Sequence, residues 1–260
     1  MTKFSTAQIH ELYASEAKKH GTAGTSTIQD MRTRKLELAE IGSYIAKRTE
    51  LYAYVLCCLD VGCGNGYLAT QLAQQFDVYV HGIDFSAVLI EEAKKQPSSR
   101  VTFSVADVLD LDTSDFDFIY SVRCLQNLSS WEAQKVALGN IGSGLKDGGE
   151  YIMCEGFNTG LRNLNEARAE LDLPAIDIPW HNNFFDEAPV IEFMRDAVGC
   201  DLIEENCFLS GYYFGSRVLL PALVKSHKPI TSASRLNDYF CALPPAGDFC
   251  PMKILHFRRV

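Results

Sequence analysis

The sequence lacks several features that define particular classes of protein. No apolar run approaches the roughly 18 residues that a membrane-spanning helix needs, and the N-terminal residues 1–5 contain no apolar core of a secretory signal. The net charge is −9, which argues against broad contact with nucleic acid, because neutralising phosphates takes clustered Lys and Arg. The sequence therefore favours a cytoplasmic protein that binds neither membranes nor nucleic acid.

Cysteine is abundant, but its spacing does not indicate disulfides or a metal site. The chain has nine cysteines, an odd number, and no two of them are spaced as C-x-x-C. Cys57 and Cys58 fall inside an apolar run, where thiols pack as small hydrophobic side chains. We therefore expect reduced, structural cysteines and no bound metal.

The chain does contain an alternation of strand and helix patterns. Apolar runs predict strands at 54–61, 78–83, 100–105, 116–121 and 150–155, followed by two more at 202–207 and 252–258. Between the first five, amphipathic segments predict helices at 67–75, 86–95 and 131–145. This alternation predicts an α/β fold, with a doubly wound, mostly parallel sheet of seven strands and helices on both faces.

Two helices are predicted ahead of the first strand. Ser5 can cap a helix that runs to about residue 19 and ends at Gly21, and a second helix is predicted at 30–47. They form an N-terminal helical leader over residues 1–50, which precedes a domain over residues 51–260.

The second half of that domain departs from the alternation. Irregular, aromatic-rich stretches occupy about 156–189 and 211–249, with a helix predicted near 189–197 between them. We expect both stretches to be insertions that cap the open edge of the sheet.

The most informative stretch ends the first predicted strand. From Leu59 to Gly66 it reads LDVGCGNG, an apolar strand followed by a turn with alternate glycines. A strand, a glycine turn and a helix N-terminus together are typical of a nucleotide-binding site. The dinucleotide fingerprint G-x-G-x-x-G is not matched, because Tyr67 stands at its third glycine. Asp60 would repel a pyrophosphate and suits a ligand with an ammonium group.

This stretch resembles motif I of the class I S-adenosylmethionine-dependent methyltransferases, and the resemblance extends over about residues 59–155. It implies a Rossmann-like fold, S-adenosyl-L-methionine as cofactor and S-adenosyl-L-homocysteine as product. In such sheets the ligand lies beyond the carboxyl ends of the strands. Asp84 would accept from both ribose hydroxyls, since ionised carboxylates are pure acceptors. Phe85 would lie against the adenine and Asp107 would accept from its amino group.

The leader carries a second resemblance. His20-Gly21 and residues 30–37 are similar to the leader of bacterial small-molecule methyltransferases, in which a helical arginine faces the cofactor carboxylate. This implies that role for Arg34; the alternative is a solvated helix face. Alternatives also remain for Asp84, as a turn aspartate, and for Asp107, as a turn cap. The predicted cofactor-binding residues are Arg34, Asp60, Gly62, Gly64, Gly66, Asp84, Phe85, Asp107, Val108, Ser121 and Val122.

The acceptor site has to come from the predicted caps and the strand ends. His181 could take a proton from an acceptor hydroxyl, and Arg123 could hold an anionic acceptor. A satisfied surface histidine is the alternative for His181, and simple packing is the alternative for the two tyrosines listed next. The predicted catalytic residues are His181 and Arg123, and the predicted substrate-binding residues are Trp180, Asn182, Tyr212, Tyr213 and Arg217.

The sequence after the fourth predicted strand narrows the acceptor. Residues 121–124 read SVRC, without the N/D-P-P-Y/F signature of the family members that methylate nucleic-acid bases or protein glutamine. We therefore predict methyl transfer to an oxygen or nitrogen of a small molecule, such as a sugar or a natural-product intermediate. A homodimer is compatible with these features. The alternatives are a non-catalytic cofactor-binding protein and a nicotinamide-dependent oxidoreductase on the same kind of sheet.

Overall fold

The structure is a computed structural model that describes residues 4–26, 28–51, 54–96, 98–224 and 234–260. Within these ranges seven strands form one sheet in the order β3-β2-β1-β4-β5-β7-β6. The strands are β1 Leu56–Val61, β2 Val78–Asp84, β3 Val101–Val105, β4 Phe116–Val122, β5 Leu145–Gly156, β6 Cys200–Asn206 and β7 Met252–Arg259. Strands β1 to β5 run parallel, and β7 lies antiparallel between β5 and β6. The prediction of a doubly wound, mostly parallel seven-stranded sheet is confirmed.

Helices cover both faces of this sheet. They are α1 Thr6–His20, α2 Met31–Leu51, α3 Tyr67–Gln75, α4 Ala87–Ala93, α5 Trp131–Gly144, α6 Asn158–Ala169, α7 Glu187–Phe193, α8 Ser210–Phe214, α9 Leu220–Leu223 and α10 Arg235–Cys241. A π-helical segment, Met194–Val198, continues α7, and another, Gly215–Leu219, joins α8 to α9. In the described ranges, no helix combines the length and the apolar character that crossing a membrane requires.

Alternate residues of each strand feed two separate cores. Cys58 and Tyr120 pack on one face with α2, α3, α8 and α10. Their neighbours Leu59 and Ile119 point to the other face and pack with α5 and α7. This follows from the strand's period of two, which sends successive side chains to opposite faces.

The leader folds as two helices, as the sequence predicts. Ser5 Oγ accepts from the backbone N of Gln8 at 3.3 Å, and Gln8 Oε1 accepts from the backbone N of Ser5 at 2.9 Å, which forms a capping box. The helix ends at Gly21, as predicted. Asn65, from the glycine turn, donates to the carbonyls of Gly21 and Ala23 at 2.8 and 2.9 Å. The leader is therefore tied directly to the turn after β1.

The two stretches predicted to be irregular contain helices, so that part of the prediction is wrong. The first holds α6, whose Leu161 and Leu164 form a short buried stripe on an otherwise polar helix. The second holds α8, α9 and α10, where glycines and Pro221 obscure the helical pattern. Tertiary packing stabilises these helices although their helix propensity is low. For example, the Phe240 ring lies against Gly215, where a Cβ would collide with it. This second stretch belongs to the core that contains α2.

Candidate active site

A cavity of about 360 Å³ opens at the carboxyl ends of β1, β2 and β4. Residues of α1, α2 and the segment 179–182 complete its walls. It brings together most of the residues predicted for the two ligands: Arg34, Asp60, Gly62, Gly64, Asp84, Phe85, Asp107, Val108, Val122, Arg123, His181 and Asn182.

The glycine turn has the backbone that its spacing predicts. Gly62, Gly64 and Gly66 all lie in the left-handed region, with φ of +75°, +56° and +74°. A Cβ at Gly64 would meet no atom within 4 Å, so its backbone faces the open cavity. A Cβ at Gly66 would collide with the Phe103 ring instead, and Gly66 does not line the cavity. Gly64 therefore provides close backbone approach, whereas Gly66 allows the packing at the start of α3.

Two backbone N–H groups hold the Asp84 carboxylate. Oδ2 accepts from the N of Gly64 at 2.9 Å, and Oδ1 accepts from the N of Ser86 at 2.9 Å. The next residue, Phe85, meets the ring of Tyr13 edge-to-face, with centroids 6.0 Å apart. The side chain at the end of β2 is thus locked to the glycine turn at the end of β1.

Asp60 and Arg34 are two buried charged groups in the cavity wall. Burial raises the pKa of the Asp60 carboxyl to about 7, although the nearby Tyr120 hydroxyl and the positive charge of Arg34 act in the opposite direction. Asp60 Oδ2 is buried and has no hydrogen-bond partner among the described residues. Arg34 donates to the carbonyl of Ser26 at 3.0 Å, and burial lowers its pKa to about 10. Arg34 is therefore not on a solvated helix face.

Asp107 both caps a turn and lines the cavity. Its Oδ1 accepts from the N of Leu109 at 2.9 Å, at the start of the 3-10 turn Val108–Asp110. Asn140 donates to the carbonyls of Val108 and Leu109 at 2.9 Å and fixes that turn against α5. The capping alternative for Asp107 is thus realised, and its other oxygen remains for a ligand.

Ser121 does not reach the cavity, which corrects the expectation for it. Its hydroxyl donates to Glu155 Oε1 at 2.8 Å and lies 2.8 Å from the hydroxyl of Tyr151. The reason is strand alternation: Ser121 shares the face of Ile119, which packs into the core. Val122, one residue later, lines the cavity instead.

Arg123 lines the cavity but already has a counter-ion. Its Nη1 lies 3.0 Å from Oε1 of Glu37, a fully buried residue of α2. Its backbone has φ of +54°, in the left-handed region, and its carbonyl accepts from Asn127 at 2.8 Å. Because Glu37 compensates the guanidinium charge, the structure does not support Arg123 as a bidentate partner for an anionic acceptor.

The segment 179–182 contributes a polar part of the wall. His181 and Asn182 line the cavity, and burial lowers the pKa of His181, so its imidazole is neutral at pH 7. Among the described residues, His181 Nδ1 and Asn182 Oδ1 are buried without a hydrogen-bond partner. Trp180 is outside the cavity; it is 55% exposed and packs edge-to-face on Phe4, at 6.2 Å, and on His181, at 5.3 Å.

The other three residues predicted for the acceptor also lie outside the cavity. The hydroxyl of Tyr212 donates to Asp30 Oδ2 at 2.7 Å, and Arg217 Nη2 pairs with the same oxygen at 2.9 Å. Arg217 also lies over the ring of Tyr213, 4.9 Å from its centroid. They attach the second inserted stretch to the segment just before α2, so the packing alternative describes the two tyrosines, and Arg217 is held with them by Asp30.

Sequence reasoning missed several residues of the site. Tyr13 lines the cavity from α1, and burial raises the pKa of its hydroxyl. Asn127 lines it from the loop after β4, and its Oδ1 is buried without a partner in the described part of the chain. Glu155 underlies that loop. An acidic residue at the end of an apolar strand was a visible signal for Glu155, but nothing in the leader marked Tyr13.

A cluster of acidic side chains lies apart from the cavity, around Lys253. Its buried Nζ lies 2.7 Å from carboxylate oxygens of Glu187 and Asp248 and 2.9 Å from Glu205. Cys207 has its sulfur near the latter two carboxylates. The ammonium group supplies the positive charge that such a cluster requires.

Residues 58–149 match a family model described as a methyltransferase domain. Phosphoethanolamine N-methyltransferase 2 of Caenorhabditis elegans is 35% identical over 101 residues, which is 36% of this chain and 22% of that protein. O-methyltransferase cnsE of Penicillium expansum is 34% identical over 104 residues, 37% of each chain. The match thus spans well under half the length of either relative.

Solved structures extend the similarity over the whole fold. Magnesium protoporphyrin IX methyltransferase from Synechocystis, with bound SAH, superposes with a TM-score of 0.64 at 16% identity, over 98% of this chain and all of that one. The N-methyltransferase NodS from Bradyrhizobium japonicum gives 0.59 at 15% identity, over 96% and 97% of the two chains. At these identities the likeness concerns the fold. The match over residues 58–149 to a methyltransferase domain and the shared fold agree with the resemblance to class I S-adenosylmethionine-dependent methyltransferases that the sequence shows.

Proposed function

We propose that this chain is an S-adenosylmethionine-dependent methyltransferase that acts on an oxygen or nitrogen of a small molecule. The observation that carries the proposal is the grouping of three features in one cavity: the open backbone at Gly64, the fixed carboxylate of Asp84 and the unpartnered oxygen of Asp60. A pyrophosphate-bearing nicotinamide cofactor does not suit a buried carboxyl directly before the turn.

The residues present fit the chemical groups of this cofactor. Asp60 would accept from its ammonium group and Arg34 would pair with its carboxylate. Asp84 would accept from the ribose hydroxyls, because an ionised carboxylate is a pure acceptor. Phe85 and Asp107 would hold the adenine. When bound, the cofactor supplies a methyl group on a positively charged sulfonium, which provides the driving force for transfer.

The protein then has to position the acceptor and exclude water. Tyr13 of α1 and the segment 179–182 wall the cavity on the sides that the sheet leaves open. Holding two reactants in line accounts for much of the acceleration in such reactions. The neutral imidazole of His181 would take the proton of an acceptor hydroxyl, a step that a neutral amine does not need.

The names of the relatives support a small acceptor and leave its reactive atom open. They include an N-methyltransferase for phosphoethanolamine, O-methyltransferases, and 27-O-demethylrifamycin SV methyltransferase of Amycolatopsis mediterranei. This range supports methyl transfer to a small biosynthetic intermediate.

Ligand-induced stabilisation tests the cofactor. We expect S-adenosylhomocysteine to raise the melting temperature in a thermal-shift assay, because a ligand that binds only the folded state stabilises it by mass action. NADH serves as the matched nucleotide control and should leave the melting temperature unchanged. Stabilisation by NADH alone would overturn the proposal.

Transfer of a labelled methyl group tests catalysis. The assay uses pooled sugar, amine and acid acceptors, and incorporation into one pool separates an enzyme from a non-catalytic binding protein. For a hydroxyl acceptor, His181→Ala should lower turnover about 10²- to 10⁴-fold and spare S-adenosylhomocysteine binding. His81→Ala is the control, since His81 bonds to Thr102 and Ser104 on the edge of the sheet. Full activity of His181→Ala would exclude His181 as the base.

A further inference from the structure

Glu155, near the end of β5, is fully buried and collects four hydrogen bonds on its carboxylate. Oε1 accepts from Ser121 Oγ at 2.8 Å and from the backbone N of Cys124 and Leu125, each at 3.1 Å. Oε2 accepts from the backbone N of Gln126 at 3.2 Å. Three successive N–H groups of one loop therefore converge on a single side chain.

That loop, residues 122–127, forms one wall of the cavity. Val122, Arg123 and Asn127 line the cavity from it. Its course is unusual, because Arg123 is a non-glycine residue in the left-handed region. Such backbone persists only where the surroundings over-determine it. Glu155, which binds the next three N–H groups, is a local determinant of this course.

Gln126 links this loop to the segment 179–185, which forms another part of the cavity wall. Its Oε1 accepts from the N of Gly156 at 2.8 Å, and its carbonyl accepts from the N of Asn183 at 2.6 Å. Gln134 donates to the carbonyls of Leu125 and Asn183, at 3.3 and 2.8 Å. The loop after β4 and the segment 179–185, which carries His181 and Asn182, are thus bound to each other and to the end of β5.

The charge of Glu155 is held by these N–H and O–H groups. Among the residues that the structure describes, no ion pair includes it, and burial raises the pKa of its carboxyl to about 7, against the hydrogen bonds from Leu125 and Ser121. All four donors need an acceptor. An amide at this position would turn its own N–H group against at least one of these donors.

We propose that Glu155 is a positioning residue that orders the loop 122–127 and, through Gln126, the segment 179–185. Glu155 does not line the cavity itself, and it fixes the walls on which both ligands would depend. The loss of ligand binding expected below rests on the proposed function, whereas the loss of order in these two segments does not.

The test compares Glu155→Gln with Glu150→Gln. Glu150 lies on the same strand and is also buried, but it is held by Arg48, Arg258 and His256 at the opposite end of the sheet. For Glu155→Gln we expect S-adenosylhomocysteine affinity to fall at least tenfold, and amide hydrogen exchange to accelerate in 122–127 and 181–185. For Glu150→Gln we expect a lower melting temperature with unchanged affinity and unchanged exchange in those segments.

A milder variant covers the case in which Glu155→Gln does not fold. Ser121→Ala removes one donor from Glu155, and a hydrogen bond worth about 1 kcal/mol corresponds to roughly a fivefold loss of affinity. The inference would be overturned if residues 122–127 exchanged their amide hydrogens at the wild-type rate in every Glu155 or Ser121 variant that folds. If the wild-type protein does not bind S-adenosylhomocysteine, the proposed function fails, and the exchange measurement alone decides the role of Glu155.

Discussion

The two buried glutamates of β5 lie in contrasting environments. Burial by itself raises the pKa of Glu150, but the nearby His256 imidazole, the hydrogen bonds from Arg258 and the charge of Arg48 outweigh it and lower that pKa to about 2. Glu155 has N–H and O–H donors around it and a pKa raised to about 7. One strand thus carries an ion-paired carboxylate at one end and, at the other, a carboxyl group that is held by N–H and O–H donors.

The same contrast separates the two ends of the sheet. At the amino end, Asp117 accepts from Lys146 at 2.7 Å and from the N of Cys57 at 2.8 Å, so its charge is paired. At the carboxyl end, oxygens of Asp60 and Asn127 are buried without partners in the described part of the chain. Buried polar groups without partners cost stability. Under the proposed function a ligand supplies the bonds that Asp60 and Asn127 lack, so the carboxyl end of the sheet would serve binding.

Removing the Glu150 carboxylate, at the amino end of the sheet, should have the largest effect on stability. Glu150→Ala leaves the buried Arg48 without its carboxylate, and breaking a buried ion pair in this way costs about 3–5 kcal/mol of unfolding free energy. Urea denaturation measures this loss. The affinity of the folded fraction for S-adenosylhomocysteine should not change. An unaltered denaturation midpoint would show that the ion pairs of Glu150 do not stabilise the amino end of the sheet.

At the carboxyl end, Asp84→Ala should mainly affect binding. It removes the acceptor proposed for the ribose hydroxyls and frees the N–H of Gly64, so we expect about a 100-fold loss of S-adenosylhomocysteine affinity, or about 2.7 kcal/mol. Calorimetric titration measures it. Asp117→Ala is the matched control: an aspartate buried at the amino end, whose loss should lower stability and spare affinity. Equal loss of affinity in both variants would contradict the division.

Asp60 should show a characteristic pH dependence. Its pKa is raised in the folded state, from 3.8 to about 7, so its favourable contribution is complete below about pH 4 and is lost as the pH rises to 7. Asp60→Asn does not show this loss, because an amide does not ionise. Relative to wild type it should gain about 3–4 kcal/mol of unfolding free energy between about pH 4 and pH 8, while binding the cofactor more weakly. Urea denaturation of both proteins at pH 4 and at pH 8 measures this difference. Equal changes in the two proteins would contradict the raised pKa of Asp60.

The smallest effects should come from two glycines. Gly64 at the carboxyl end and Gly148 at the amino end both have positive φ, +56° and +71°, and open space where a Cβ would be. Alanine at either position should cost about 1 kcal/mol of stability through backbone strain alone. Only Gly64→Ala should also weaken S-adenosylhomocysteine binding, because its methyl group enters the cavity. Equal affinities of the two variants would argue against close backbone approach at Gly64.

Local patterns predicted the binding end of the sheet well. Successive parallel strands end at the same edge, so Asp60, Asp84 and Asp107 could be placed together from strand positions alone. The start of α1 was predictable for a similar reason, because a capping box is written in four consecutive residues, Ser5 to Gln8. Arg34 was placed at the cavity by resemblance, and the alternative of a solvated face does not hold.

What the sequence could not provide were pairings between distant segments. Tyr212 and Arg217 look like ligand-binding residues until Asp30, more than 180 positions away, is seen to hold both. Arg123 likewise has its charge compensated by Glu37 of α2. Ser121 is different, because its direction followed from the period of β4. Ser121 has the parity of Ile119, so the alternation of β4 alone places its side chain on the core face.

The antiparallel position of β7 has a consequence for how the protein is made. Among the strands in the described part of the chain, β6 pairs only with β7, and β7 also covers the outer edge of β5. During synthesis β6 therefore leaves the ribosome with no partner, and it waits for about fifty further residues until Met252–Arg259 emerges and inserts between it and β5. Translation that stalls before that point leaves two open strand edges, which are sites of nascent-chain aggregation and of chaperone binding.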